Sequence, residues 1–157
     1  MKILFLSIGK TSFPYLREGT AIYEKRLDRY ASFESRILPD VRNAGKMGSE
    51  ELKRYEGEKF LKVFEPTDLV VLLDEAGKQR TSVELAGWLD RSLQSGKRRL
   101  VFVVGGAYGF SPAVYERADQ KMALSKLTFS HQMIRLFFLE QLYRAFTILR
   151  GEPYHNS

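Results

Sequence analysis

At 157 residues, 44% of them apolar and 28% charged, the chain has the size and composition of one globular domain with its own core. It contains no cysteine, which excludes disulfides, thiolate zinc sites, iron–sulfur clusters and cysteine nucleophiles together. No apolar run approaches the roughly 20 residues of a membrane span and no signal-peptide layout opens the chain, so a cytoplasmic protein is expected, and a net charge of +6 favours a polyanionic partner.

Lys2 to Ile8 is a β-branched and leucine-rich run closed by Gly9, a first strand. Gly9-Lys10-Thr11 has the end of a phosphate loop, but that motif requires a further glycine where Leu4 stands, so the reading is rejected. Tyr15 to Tyr30 carries Leu16, Ala21, Ile22 and Leu27 at helical spacing, with Pro14 placed for a first turn. Phe33 to Leu38 is a second strand, followed by a polar loop from Pro39 to Gly48 that carries Arg42 and Lys46. Ser49 is expected to cap a helix reaching about Phe64. Asp68 to Asp74 is a third strand, apolar on both faces as a central parallel strand is, and it runs into Glu75-Ala76-Gly77-Lys78.

Thr81 and Glu84 form a capping box for a helix that ends near Leu93, with Gly96 as its stop. Lys97-Arg98-Arg99 reads as a solvated turn before a fourth strand, Leu100 to Val104. That strand breaks into Gly105-Gly106-Ala107-Tyr108-Gly109. Ser111-Pro112 opens a short helix to about Ala118, and Lys121 to Phe129 is a fifth strand or an extended loop. The last helix spans His131 to Arg150; Gly151 ends it, and Pro153 sends Tyr154 and His155 off in a fixed direction.

Strands alternating with helices over short connections argue an α/β domain, a largely parallel sheet of five or six strands with helices on both faces. Ligands in such sheets lie outside the carboxyl ends of the strands, so Leu73 to Gly77 and Gly105 to Gly109 are expected to wall one pocket. The glycine loop is not the dinucleotide fingerprint, because Ala107 and Phe110 occupy two of its glycine positions. On these residues alone, Gly105-Gly106 serves a tight turn or a ligand about equally well. His131 and His155 are the only histidines, too few for a histidine-rich metal site, and no serine sits in a nucleophile elbow. The last helix is apolar almost all round, which in so short a chain points to a core helix that also meets a second subunit. Arg135, Glu140 and Arg144 interrupt it, the latter two in the favourable i, i+4 order, as a local ion pair or as functional groups.

Gly105-Gly106 with Gly109, the run Leu124-Ser125-Lys126-Leu127-Thr128-Phe129-Ser130-His131-Gln132, Arg135, Glu140 to Ala145, and Gly151-Glu152-Pro153-Tyr154-His155 together resemble one family. It is the ribosomal RNA large subunit methyltransferase H family, the small-domain-only branch of the SPOUT methyltransferases, and the resemblance covers the whole chain. It implies a single SPOUT domain over residues 1–157, knotted as a trefoil from about residue 100 onward. It implies S-adenosylmethionine as methyl donor, held bent in the knot by Leu73, Gly105, Leu124, Ser125, Lys126, Leu127, Thr128 and Phe129. It further implies a homodimer, with no metal, that methylates ring N3 of a pseudouridine in a hairpin of 23S ribosomal RNA within the large subunit or whole ribosome.

For the chemistry, Arg135 or Arg144 would favour the anion left when the N3 proton departs. His155 would orient the acceptor or take that proton, and Tyr154 would pack on the flipped base from a tail lying across the active-site mouth. Two other readings share the resemblance: a related enzyme with ribose 2′-oxygen as acceptor, and a non-catalytic ribosome-binding factor that would not need an intact cofactor pocket.

Overall fold

The computed structural model describes residues 1–156. Five strands form one sheet in the order β2-β1-β4-β3-β5, with every pair parallel. They are β1 (Lys2–Ile8), β2 (Ser32–Leu38), β3 (Leu69–Gln79), β4 (Arg99–Val104) and β5 (Gln120–Ala123). The helices are α1 (Pro14–Leu27), α2 (Ser49–Val63), α3 (Ser82–Leu93), α4 (Pro112–Arg117) and α5 (Met133–Leu149). Among the described residues no helix is long and apolar enough to cross a membrane.

Side chains alternate across each central strand and so divide the core in two. Ile3, Phe5, Val71, Leu100 and Phe102 face α1, α3 and α5; Leu4, Leu6, Val70, Val101 and Val103 face α2 and α4. Both faces being covered explains why β1, β3 and β4 read as unbroken apolar runs. On the first face, Phe138 stacks on Phe5 at 5.1 Å and meets Phe102 at 4.6 Å, which seats α5 on the middle of the sheet.

Several local expectations are corrected. Gly48, not Ser49, is the N-cap of α2, and Ser49 is its first helical residue, with Glu50 and Glu51 in the first turn to meet the helix dipole. The helix expected to reach Tyr30 ends at Leu27. The fifth strand stops at Ala123; residues 124–132 are loop and turn, and α5 begins at Met133. Arg99 is no solvated turn residue: its Nε and Nη2 donate to the two oxygens of Asp68 at 2.9 and 2.7 Å, and Nη2 also reaches the Val63 carbonyl. Burial opposes ionisation of Asp68, but those bonds hold its carboxyl below the usual range. The capping box on α3 forms as read, with Glu84 N–H on Thr81 Oγ1 and Thr81 N–H on Glu84 Oε1.

β3 is longer than expected. It pairs with β5 up to Leu73, skips four residues and resumes at Lys78 opposite Met122. Asp74 steadies the skipped turn by accepting the Ala76 N–H at 2.8 Å. Gly77 makes the approach between the strands possible, because a Cβ there would lie 2.5 Å from Met122 N and 2.6 Å from Lys121 C, both rigid backbone. Gly77→Ala is therefore expected to pry β3 from β5 and cost about 1–3 kcal/mol, read as a lowered midpoint in denaturant unfolding.

Candidate functional site

The carboxyl ends of β3, β4 and β5 and the start of α5 enclose a cavity of about 530 Å³. Leu73, Asp74 and Glu75 supply one wall and Gly105 to Gly109 a second, as the sequence predicts; Ala76 and Gly77 lie outside it. The third wall is the loop after β5, through Leu124, Ser125, Leu127, Thr128 and Phe129, with His131 and Ile134 behind it. Lys126 points away, exposed, and is the one cofactor residue expected from the resemblance that does not line the cavity.

Two features suit this cavity to an adenosine-like ligand. Residues 124–129 make no backbone–backbone hydrogen bond, so their N–H and C=O groups, apart from the Leu127 N–H held by Ser125 Oγ, are free to read a ring edge. Leu73, Val104, Ala123, Leu124 and Ile134 provide apolar surface beside them. The glycine loop packs tightly from behind. A Cβ on Gly105 would sit 3.1 Å from the Gly109 carbonyl oxygen and 3.2 Å from the Phe110 ring. Gly109 itself, at φ +85°, takes the left-handed turn that a side chain resists. Across the mouth, Thr128 Oγ1 donates to Glu75 Oε2 at 2.6 Å, and Tyr115 Oη donates to Asp74. Burial and the Asp74 carboxylate raise the Tyr115 phenol, which stays protonated as that donor.

The four residues expected to do chemistry sit elsewhere. Arg135 is 2% exposed and held by the chain itself: Nη2 donates to the Ile8 carbonyl at 2.8 Å, Nη1 to Gly9 O at 2.7 Å and Thr11 Oγ1 at 3.0 Å, and Nε to His131 O at 3.2 Å. So bound, it braces α5 against the end of β1. Arg144, Tyr154 and His155 form a separate cluster at the far end of α5. Arg144 Nη2 pairs with Glu140 Oε1 at 2.5 Å, which also accepts the Tyr154 hydroxyl at 3.0 Å. The Arg144 guanidinium lies over the Tyr154 ring, and that ring meets Tyr143 edge-on at 4.7 Å. Burial, with Tyr23 and Glu140 adding, raises the Tyr154 phenol, so it donates and does not ionise.

The tail is ordered as the sequence predicts, for a reason visible in its bonds. Gly151 at φ +67° ends α5, and Glu152 N–H closes back on Thr147 O at 2.9 Å. Glu152 Oε2 then accepts the Tyr30 hydroxyl at 2.7 Å. The tail does not lie across its own chain's cavity; neither Tyr154 nor His155 lines it.

Arg144 Nη1 and His155 Nδ1 are 3.2 Å apart. A guanidinium only donates, so Nδ1 accepts, and the proton of a neutral His155 resides on Nε2. In that tautomer Nε2 carries the hydrogen and is the ring's donor.

Glu56 on α2 carried no functional signal in the sequence. It is 7% exposed, its Oε1 has no hydrogen-bond partner, and a Cβ on Gly106 would lie 2.5 Å from its Oε2. Burial, with Asp40 adding, pushes its carboxyl up to about 7. Beside the same corner, burial and then Arg135 lower the pKa of His131.

Comparison with known proteins gives one answer along the whole chain. The family model described as predicted SPOUT methyltransferase matches residues 1–155. Proteins named ribosomal RNA large subunit methyltransferase H from Porphyromonas gingivalis and Parabacteroides distasonis are each 50% identical over 157 residues, 100% of both chains. That from Christiangramia forsetii is 49% identical over 156 residues, 99% of each. Among solved structures, the SpoU methyltransferase AviRb from Streptomyces viridochromogenes in complex with AdoMet aligns with a TM-score of 0.43 at 12% identity, over 96% of this chain and 61% of that one. The chain belongs to the SPOUT methyltransferases, in the ribosomal RNA large subunit methyltransferase H family.

Proposed function

We propose that this methyltransferase modifies ring N3 of a pseudouridine in a hairpin of 23S ribosomal RNA, on the assembled large subunit or ribosome, as a cytoplasmic homodimer. The full-length likeness to ribosomal RNA large subunit methyltransferases H carries the reading. The passage of α5 through a loop of the chain belongs to the same proposal. Gln132, accepting the Ser12 N–H and donating to the Lys10 carbonyl, would tie the loop entering α5 to the turn after β1.

The dimer is supported by apolar surface left bare beside the cavity. Phe13 and Tyr15 at the start of α1, and Met133 and Phe137 at the start of α5, are 38–59% exposed, and Phe137 rests on the cavity residue Phe129 at 5.1 Å. Covering such surface is worth about 25 cal/mol per Å². A second subunit seated there would bring its own tail to this cavity, which the tail of the same chain does not line.

S-adenosylmethionine supplies an electrophilic methyl group, and what the protein must add is alignment of the acceptor and care of the departing imide proton. Leu73, Gly105, Leu124, Ser125, Leu127, Thr128 and Phe129 hold the donor; Lys126, facing outward, is free for RNA phosphate. Arg144 fixes the His155 tautomer, and Nε2–H donates to a carbonyl beside N3 as charge develops there. The proton passes to solvent. Tyr154 offers its ring to the base, and Arg135 acts by positioning α5.

Four outcomes test this. Ribosomal RNA from cells lacking the protein should lack one methyl group on mass mapping, restored by the wild-type chain alone. Gly105→Val should cut S-adenosylmethionine affinity more than tenfold by calorimetry, with the far-ultraviolet circular dichroism unchanged. Phe137→Asp should yield a monomer in sedimentation and lose over nine-tenths of methyl transfer. His155→Gln, whose amide places a donor where Nε2–H lies, should keep single-turnover rates within about tenfold of wild type, and His155→Glu, an acceptor only, should fall about 100-fold or more. The reverse order would make His155 the base.

A further inference from the structure

The corner outside the carboxyl ends of β1 and β4 holds a buried carboxylate that nothing in the methyl-transfer scheme uses. β1 has β2 on one side and β4 on the other, so the chain's winding reverses here, the place where open α/β sheets leave a crevice. Glu56 enters it from α2 and lies against Gly106, which also lines the cavity. Gly57 lets α2 come this close, since a Cβ there would sit 2.4 Å from Ser111 Oγ at the start of α4. Among the described residues no ion pair reaches Glu56, and its Oε1 is buried without a partner.

The charged groups around the corner do not neutralise it. Asp40, at the end of β2, lies against Gly9 and acts on Glu56, His131 and Arg135 alike. Lys59, one turn along α2, spends its ammonium on the Pro39 and Asp40 carbonyls at 2.8 and 3.2 Å. Arg135 is committed to the end of β1, and the α4 residues Tyr115 and Arg117 bond to Asp74 and to the Glu65 and Asp68 carbonyls. His131 is held towards its neutral form. An unpaired buried carboxyl in such a site holds its proton more firmly than a solvated one, and a positive charge brought near it favours release.

The ligand pair of this enzyme differs by that one charge: S-adenosylmethionine carries a sulfonium, and the product left after methyl transfer carries a neutral thioether. We infer that Glu56 is a charge-selecting residue beside Gly106, holding its proton more firmly when the cavity holds the thioether product or no ligand, and shifted towards its ionised form when the sulfonium donor is bound. The proton leaves to solvent as the donor binds and returns after transfer, so the product is held less tightly and gives way to fresh donor. The inference rests on the cavity being the methyl-donor site. Because Glu56 acts through the Gly106 backbone on a ligand it need not touch, it is a positioning residue for charge, not a catalytic one.

Titration calorimetry on the full-length protein, in phosphate and in Tris at pH 7, reads the proton directly. If donor binding lowers the Glu56 pKa by one unit from about 7, wild type releases about 0.4 proton more with S-adenosylmethionine than with S-adenosylhomocysteine. Glu56→Gln should abolish that excess and reduce the preference for donor over product about tenfold at pH 8.5. The amino group of each ligand titrates equally in both proteins, so the difference between them belongs to Glu56. In wild type the same preference should rise from pH 5.5 to pH 8.5, since the carboxylate is already present at the upper end; this arm needs no variant to fold. An unchanged proton count in Glu56→Gln, or a flat preference across that range, overturns the inference and leaves the cavity assignment standing. Failure of wild type to bind either ligand overturns both.

Discussion

The buried guanidinium of Arg135 is the interaction on which the site depends. It sits where β1 ends and α5 begins, and it satisfies the Ile8, Gly9 and His131 carbonyls, which the sheet and helix leave unpaired. Placing a charge there is expensive unless every neighbour accepts from it, so α5 has one seat against β1. His131 and Ile134, on either side of that seat, are cavity residues, and the preceding loop is stretched from β5 to reach it. The position of α5 and the shape of the cavity are therefore one constraint.

That loop shows how a cavity can be lined with few polar side chains. Residues 124–129 keep their backbone donors and acceptors out of secondary structure, and the Gly105 to Gly109 turn lets main chain stand where side chains would otherwise intrude. Backbone groups cannot be moved by a rotamer change, so they hold a ring edge at low entropic cost. The bond between Thr128 and Glu75 ties this wall to the skipped turn of β3, and Gly77 lets that turn lie against β5.

At the opposite end of α5 the contacts are built from side chains. Tyr23 and Tyr143 pack against Tyr154, with Tyr30 edge-on to Tyr143, Glu140 accepts from both Arg144 and Tyr154, and Arg144 meets the His155 ring. A short C-terminal tail would ordinarily fray; here Glu152 on Tyr30 and the turn at Gly151 hold it to the turn between α1 and β2. One helix thus carries a cavity wall at its first turn and the tail cluster towards its last, separated along its axis by about 1.5 Å per residue.

The order and type of nearly every element were legible in the sequence, because strands buried on both faces must be apolar throughout and helix ends need Gly151, Thr81 or Pro14 at fixed places. The two main cavity walls were legible for the same reason: in a parallel sheet, Leu73 and Gly105 can only end on one rim. The third wall and the tail came from resemblance, since neither the Leu124 to Phe129 run nor Tyr154-His155 has a period that marks it. Tertiary structure alone decided that Arg135 braces while Arg144 orients, because both are arginines on one helix and only their neighbours differ. It decided that Lys126 faces outward, in a loop with no regular repeat to set its side. It also decided that Glu56, an ordinary acidic residue in a polar helix sequence, stands unpaired behind Gly106; burial is a property of what α2 packs against, and no local pattern records it.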